Sequence, residues 1–554
     1  MYSNKENVNI LTSLLVAHGV RVAVVCPGSR NSPIVHNLNE CPDIACYPVT
    51  DERSAGFYAL GIAQATKRPV AVCVTSGTAL LNLAPAVAEA YYQHQPLVVV
   101  SADRPSQWID QLDGQTLPQP DALGRFVKKA VTLPEPHDEE TRWYCNRLAN
   151  EALIETRHHG DGPVHINVPI TEPLFDFTVA ELPEERRICL LPPRCYKTLL
   201  SECADQFYHS KKPMVIIGQM STEGLLPEEL FPISQCAVVL NESLSVGNGG
   251  SNFDEVLYAI GSEPELAPDF VLYLGDTMVS KRIKKFLRNL KNVPIWVVTE
   301  DGSLHDTSMS TFGIVEGHPA DVIYDIVDSA KIKAISSTEE FKSRWDKVLK
   351  KAANYAETYQ PDFSQMAAVK YFEKRLSNME EDYFVHYANS SAVRLSNIYA
   401  KHYVYCNRGV NGIDGSLSTA AGFSVVSDDD KVFCVIGDLS FFYDQNALWN
   451  QNLRGNFRIL LMNNGKGGIF NMLKGLEQSP ARDKFVAAEH HTSAEGICQQ
   501  NSVKYLKATN MAEMQENIDT LFNLESNRPV LLEVFTDAAE DERMFKEYYQ
   551  SIKL

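Results

Sequence analysis

Three doubly wound α/β domains built on parallel sheets are what this sequence predicts, and three observations point there. The chain has 554 residues, 44% of them hydrophobic and 22% charged, the balance of several packed globular domains rather than of a disordered, collagen-like or coiled-coil chain. Short runs of Val, Ile and Leu recur along its whole length, and they are continuous rather than alternating, as strands buried on both faces of a parallel sheet must be. Two segments without such runs, about 171–195 and 345–385, divide the chain into stretches of ordinary domain size.

Taken in order, RVAVVC (21–26), VAVCV (70–74), LVVVS (97–101) and PVHINVP (163–169) read as strands of a first unit, residues 1–180. Its opening segment, MYSNKENVNILTSLLVAHGV, reads as an amphipathic helix that starts on Ser3-x-x-Glu6, a capping box. MVIIG (214–218), FVLYLGD (270–276) and IWVVTED (295–301) belong to a second unit, 195–345, and VFCVIGD (432–438), RILLMNN (458–464) and VLLEVF (530–535) to a third, 370–554. The proline- and acid-bearing stretch 171–195 and the charged stretch 345–385 read as linkers. Most runs end in Gly, Asp, Asn, Ser or Pro, which places polar turn residues at the carboxyl ends of strands, where open α/β sheets bind ligands.

Composition also excludes partners. A formal charge of −19 leaves no basic stripe to bind phosphates, so nucleic acid is not a partner. No apolar run reaches the ~18–20 residues of a membrane span, and the first residues do not form a signal peptide. The twelve cysteines are scattered without a C-x-x-C pair, the pattern of reduced core thiols in a cytoplasmic protein rather than of a zinc site or disulfide framework.

Two constellations carry chemistry. Gly437-Asp438 closes one buried run and Asn463-Asn464 the next, with the helix-like FFYDQNALWNQNL between them. Asp438 and Asn464 lie 26 positions apart, the span of a strand–helix–strand crossover that sets both ends side by side. A carboxylate and an amide oxygen then face a hard cation; magnesium wants about six oxygens, so a backbone carbonyl near Lys466 and a diphosphate complete the shell. Gly160-Asp161-Gly162 resembles a metal motif more closely by its letters, but Arg187 and Ile188 stand 26 residues on, and it reads as a turn. The second constellation is Thr50-Asp51-Glu52-Arg53-Ser54-Ala55-Gly56, an acidic strand end entering a small-residue helix, followed by TSGTALLN (75–82).

Together with GPVHINVP, these segments resemble the thiamine diphosphate (ThDP) enzymes of the 2-oxo-acid decarboxylase type. CPGSRNSP (26–33), SADRPSQWID (101–110), SNIYAKHYVYCNRGVNGIDGSLSTAAG (396–422) and GDLSFFYDQNAL (437–448) resemble one branch of that family, the 2-succinyl-5-enolpyruvyl-6-hydroxy-3-cyclohexene-1-carboxylate (SEPHCHC) synthases of menaquinone biosynthesis. The wider family has G-D-G-S where this chain has Gly437-Asp438-Leu439-Ser440, a leucine familiar in that branch.

The resemblance implies a pyrimidine-binding domain in 1–180, a middle domain in 195–345 and a diphosphate-binding domain in 370–554. It implies ThDP with Mg2+ or Mn2+ held by Asp438, Asn464 and the Lys466 carbonyl. Thr75, Gly77, Arg408, Gly437, Leu439, Ser440 and Ile469 then line the cofactor, and Ile413 is the wedge that bends it. Glu52 meets the aminopyrimidine nitrogen and promotes loss of the thiazolium proton. The implied reaction decarboxylates 2-oxoglutarate and adds the succinyl carbanion equivalent to isochorismate. Both substrates are dicarboxylates, so the site must be locally basic within an acidic chain, with Arg30, Arg104, Lys281, Arg282, Arg394 and Arg408 as the cations. Ser29, Gln115 and Ser390 orient substrate, and Ile469, Phe470 and Leu473 form an apolar wall. In the family the two halves of one site come from different subunits, which implies a homodimer or homotetramer. The alternatives are another ThDP-dependent 2-oxo acid decarboxylase or carboligase, and a non-catalytic ThDP-fold binding protein. A dinucleotide oxidoreductase would need G-x-G-x-x-G directly after a strand, and none stands there.

Overall fold

The computed structural model describes residues 1–188, 200–245, 249–261, 263–303, 305–329, 335–427, 430–468 and 476–553. Among them, sixteen strands form three sheets in which every pairing is parallel. The first sheet holds β1 (Val22–Val25), β2 (Ala45–Pro48), β3 (Val70–Val74), β4 (Leu97–Asp103), β5 (Lys129–Thr132) and β6 (Val164–Pro169) in the order β2-β1-β3-β4-β6-β5. The second holds β7 (Pro213–Ile217), β8 (Val238–Asn241), β9 (Phe270–Leu274), β10 (Ile295–Thr299) and β11 (Thr311–Glu316) in the order β11-β10-β9-β7-β8. The third holds β12 (Tyr383–Tyr387), β13 (Lys431–Gly437), β14 (Phe457–Asn463), β15 (Lys504–Ala508) and β16 (Val530–Phe535) in the order β12-β13-β14-β16-β15.

Each sheet is covered on both faces, as continuous apolar runs require. In β3, Val70, Val72 and Val74 enter one core while Ala71 and Cys73 enter another. In β13, Val432, Cys434 and Ile436 face one core and Phe433 and Val435 the other. The first and third units share one of these cores, which is closed by the helices Glu52–Thr66 and Ser416–Val425. These helices cross with backbone against backbone: a Cβ on Gly61 would lie 1.9 Å from the Thr419 carbonyl oxygen, and one on Gly422 2.3 Å from that of Tyr58.

Three expectations need correction. The first helix is Glu6–Ala17 with Lys5 at its N-cap and no side-chain cap. Ser3 is buried instead, its N–H donating to Asn37 Oδ1 at 2.8 Å and its hydroxyl accepting from Lys5 N at 3.2 Å, so it stands too early to cap. The stretch 345–385 is helix-rich as read, but it is no linker, because its helices Ile335–Thr358 and Gln365–Leu376 are packed into the cores. Trp345 is fully buried against Phe286 and donates its indole N–H to the Leu266 carbonyl at 3.1 Å, and Phe372 packs on Phe433 and Phe522. The segment after Asp438 is shorter in helix than expected, with one helix at Asp438–Tyr443 and a 3-10 turn at Gln445–Leu448. Residues 171–188 strap the first unit: Val179 pairs with Tyr2 and Pro183 accepts from Ser13 at 2.8 Å.

Candidate active site

The strands β13 and β14 are neighbours, with Gly437 opposite Met462, so the residues that follow them, Asp438 and Asn464, emerge side by side at the carboxyl edge of the third sheet. Asp438 Oδ2 accepts the backbone N–H groups of Asn464 (3.1 Å) and Gly465 (2.8 Å), and Oδ1 accepts Leu439 N (2.7 Å). The Asn464 amide nitrogen donates to Asp541 Oδ2 at 2.9 Å, and Asp541 also accepts from Thr536 and Gln365. A carboxylate can only accept, so Asp541 fixes which way the amide points and, among the described residues, leaves Asn464 Oδ1 with a single long contact, 3.4 Å from Lys466 N. Space in front of Gly437 is open to 4 Å. His490 Nε2 stands 3.5 Å from Asp438 Oδ2, and that carboxylate raises its pKa against the opposing effect of burial. The Lys466 ammonium faces Asp483 at 3.5 Å. Among the described residues no group of three or more His, Cys, Asp or Glu side chains is placed to hold a metal ion, so a cation here would need oxygens from backbone, water or ligand.

A loop over residues 407–415 closes this edge. Ser440 donates its hydroxyl to the Ile413 carbonyl at 2.5 Å, and the Ile413 side chain stays exposed. Arg408 donates to Asn389 Oδ1 at 3.1 Å while its buried Nε has no hydrogen-bond partner among the described residues. Glu89 of the first unit reaches across and accepts the N–H groups of Gly409 and Val410, each at 2.8 Å. Burial raises the pKa of this carboxyl. Ser390, at φ +74°, turns the chain off β12 into the helix Ser391–Tyr399, and its carbonyl accepts from Arg394 at 2.7 Å.

Arg394 lines a cavity of about 340 Å³ together with Lys281, Arg282, Asp254 and Tyr549. Burial, then the nearby Arg408, lowers its pKa. Arg282 pairs with Asp254 and lies over the rings of Tyr549 (4.4 Å) and Tyr258 (4.9 Å). Glu242 on the same wall accepts Val279 N (2.6 Å) and Ser280 N (2.7 Å), and burial pushes its pKa up to about 7.

The other half sits at the carboxyl edge of the first sheet. Glu52 opens its helix behind the N-cap Asp51, whose carboxylate accepts Arg53 N at 2.9 Å, and takes a long contact from Asn82 at 3.5 Å. Thr75 Oγ1 and Asn31 Oδ1 are buried without hydrogen-bond partners among the described residues. Gly77, at φ +86°, donates its N–H to Gln119 Oε1 at 2.7 Å, and Gln115 donates to the Ser76 carbonyl at 3.1 Å. Ser29 is exposed beside the buried Arg30. Arg30 donates to the Ile170 carbonyl (2.9 Å) and meets Glu172 (3.0 Å); Arg104 pairs with Asp113 (2.9 Å) and approaches the same Glu172 oxygen (3.8 Å).

Among the described residues, no hydrogen bond or ion pair joins Ser29, Arg30, Glu52, Thr75, Gly77, Arg104 or Gln115 to Ser390, Arg394, Arg408, Ile413, Asp438 or Asn464. Ile469, Phe470 and Leu473 lie outside the described residues. Sequence reading passed over Asp541, Glu89, Glu172 and His490. Each is an ordinary polar residue in its local context and acquires a role only through a partner distant in the chain.

Residues 6–123 match the thiamine pyrophosphate enzyme N-terminal TPP binding domain, and residues 388–534 the corresponding C-terminal TPP binding domain. Proteins named 2-succinyl-5-enolpyruvyl-6-hydroxy-3-cyclohexene-1-carboxylate synthase are similar over the full chain. The one from Bacteroides thetaiotaomicron is 44% identical with 100% of both chains covered, and that from Phocaeicola vulgatus 43% identical with 100% of this chain and 99% of its own. The Flavobacterium johnsoniae protein is 36% identical over 97% of each.

Proposed function

The chain belongs to the SEPHCHC synthases, a family of thiamine pyrophosphate enzymes, and from that premise we propose how its residues divide the reaction. Thiamine diphosphate is its cofactor and menaquinone biosynthesis its setting. When bound, the cofactor supplies a carbon that takes over the acyl part of a 2-oxo acid as carbon dioxide leaves. Here the 2-oxo acid is 2-oxoglutarate and the acceptor isochorismate.

The residues present fit such a group. The observation that carries the reading is the Asp438–Asn464 pair, set on adjacent strand ends with the amide oxygen turned outward by Asp541. Asp438 Oδ1 and Asn464 Oδ1, with the Lys466 carbonyl, would hold Mg2+ or Mn2+ and through it the diphosphate, beside Gly437, Leu439 and Ser440. Thr75 Oγ1 and Asn31 Oδ1, buried and without partners, are polar contacts for the opposite end of the cofactor, near Gly77 and Glu52. The Glu52 carboxylate would exchange a proton with a ring nitrogen of the bound cofactor, and positioned proton transfer is typically worth about 10²–10⁴ in rate. Ile413, its carbonyl held by Ser440, would offer its exposed apolar side chain to the cofactor.

Arg30 and Arg104 form one carboxylate subsite and Lys281, Arg282, Arg394 and Arg408 a second, with Ser29, Gln115 and Ser390 orienting the bound acids. The two halves complete each other in a homodimer or a tetramer of such dimers, in the cytoplasm. The reading is supported by the lack of any hydrogen bond or ion pair between their named residues among the described residues and by the apolar side chains exposed beside them, Leu112, Trp108, Val410 and Ile413. The domains then run 1–180 for pyrimidine binding, 195–345 in the middle and 370–554 for diphosphate binding. The test is to incubate the protein with ThDP, Mg2+ and 2-oxoglutarate, with and without isochorismate. Isochorismate should disappear only when all components are present. Carbon dioxide release that ignores isochorismate would point to a simple decarboxylase, and neither change to a binding protein.

A further inference from the structure

We propose that Glu172 is a resident carboxylate that occupies the Arg30–Arg104 subsite until a substrate carboxylate exchanges with it, and thereby sets the affinity of that subsite. The proposal rests on the assignment of Arg30 and Arg104 to substrate binding. One oxygen, Glu172 Oε1, stands 3.0 Å from Arg30 and 3.8 Å from Arg104, which come from the turns after β1 and β4. The three partners differ in freedom. The Arg30 side chain is only 6% exposed and is held by its second bond to the Ile170 carbonyl. Arg104 is held by Asp113 and by the Gly114 carbonyl. The Glu172 side chain is 67% exposed and sits on the strap that follows β6. The cations are therefore fixed and the carboxylate is the partner that can leave.

Charge makes exchange necessary. Two guanidinium groups already face Glu172 and Asp113, with Asp103 accepting the Arg104 backbone N–H at 2.8 Å behind them. A further anion cannot add to that set without facing net repulsion. When Glu172 swings into water, the same two guanidinium groups can take a substrate carboxylate, and a well-aligned bidentate pair outcompetes a single-oxygen contact to an exposed side chain.

The experiment uses the full-length enzyme with ThDP and Mg2+. It measures KM for 2-oxoglutarate and for isochorismate, and inhibition by succinate as an unreactive dicarboxylate probe, in wild type, Glu172→Gln, Glu172→Asp and Arg104→Gln. Glu172→Gln should lower KM for one of the two substrates and the succinate inhibition constant by about two- to fivefold, within the range an exposed ion pair can supply. That decrease should exceed any change in kcat, and KM for the other substrate should hold. Glu172→Asp, with its shorter reach, should move in the same direction by less. Unchanged or raised values in both Glu172 variants, with Arg104→Gln raising them, would make Glu172 a mere brace and overturn the proposal. If Arg104→Gln leaves both KM values alone, the subsite assignment itself falls and the proposal with it.

Discussion

Gly61→Ala and Gly422→Ala should each loosen the junction between the first and third units. The added Cβ at Gly61 would lie 1.9 Å from Thr419 O and 2.8 Å from Phe423 N; at Gly422 it would lie 2.3 Å from Tyr58 O and 2.5 Å from Tyr58 Cα. All four are backbone atoms, so no rotamer relieves the contact. Carbon and oxygen rest comfortably about 3.5 Å apart, so the helices would have to separate by more than about 1 Å. That opens a shared core in which Phe57, Tyr58, Leu417 and Ala421 are fully buried. Overpacking costs typically ~1–3 kcal/mol, and an immovable backbone on the far side places these variants at the upper end. The better helix propensity of alanine returns about 1 kcal/mol, leaving a net loss of ~2 kcal/mol. Because Glu52 opens one helix and the 407–415 loop leads into the other, KM for ThDP should rise as thermal stability falls. The assay is thermal unfolding with and without ThDP, beside steady-state KM for the cofactor. Gly496→Ala, on a helix with nothing within 4 Å among the described residues, is the control and should leave the cofactor KM unchanged and thermal stability unchanged or slightly raised. Wild-type unfolding and cofactor KM in both junction variants would refute the close crossing.

Glu52→Gln should still bind ThDP, as read by quenching of intrinsic fluorescence, yet lose about 10²–10⁴ in kcat; near-normal turnover would remove Glu52 from proton transfer. Asp438→Ala should weaken Mg2+ and ThDP together in equilibrium titrations, and unchanged affinity for both would take Asp438 out of the cation shell. His94 of the first unit faces Asp276 of the middle unit at 3.4 Å; burial opposes its charge, but Asp276, then Asp301 and Glu300, raise its pKa from 6.5 to about 9. A raised folded-state pKa gives stability that is complete below pH 6.5 and is lost as pH climbs through about 9. The ring is 41% exposed, so screening leaves about 1 kcal/mol. His94→Gln should flatten this part of the fall in Tm between about pH 7 and 9; equal slopes in variant and wild type would show that the contact carries none of it.

What the sequence disclosed follows from what each residue touches. The ten runs read as strands are the interior strands of the three sheets, while the six edges are β2, of which only the end at Thr50-Asp51 was read, and β5, β8, β11, β12 and β15, which went unread. An interior strand must be apolar on both faces, whereas an edge such as Lys504–Ala508 is partly exposed and carries a mixed pattern. Asp438 and Asn464 were legible together because both follow interior strands, and a parallel crossover fixes such ends as neighbours. The small residues of DERSAGFYALGIA and SLSTAAGFS announce helices, but only their mutual backbone contact explains Gly61 and Gly422. Asp541, Glu172 and Glu89 act on partners 77, 142 and 320 positions away, beyond any local pattern. The arginines were legible as cations but not in their state of pairing. Arg30, Arg104 and Arg282 each hold a carboxylate, whereas Arg394 and Arg408, among the described residues, hold only neutral oxygens, of Ser390 and Asn389. Both belong to the second carboxylate subsite proposed above, and with no acid partner among the described residues they would let a substrate anion add there rather than exchange. The mutual proximity of Arg394 and Arg408, which lowers the Arg394 pKa after burial has done so, is relieved when a carboxylate sits between them.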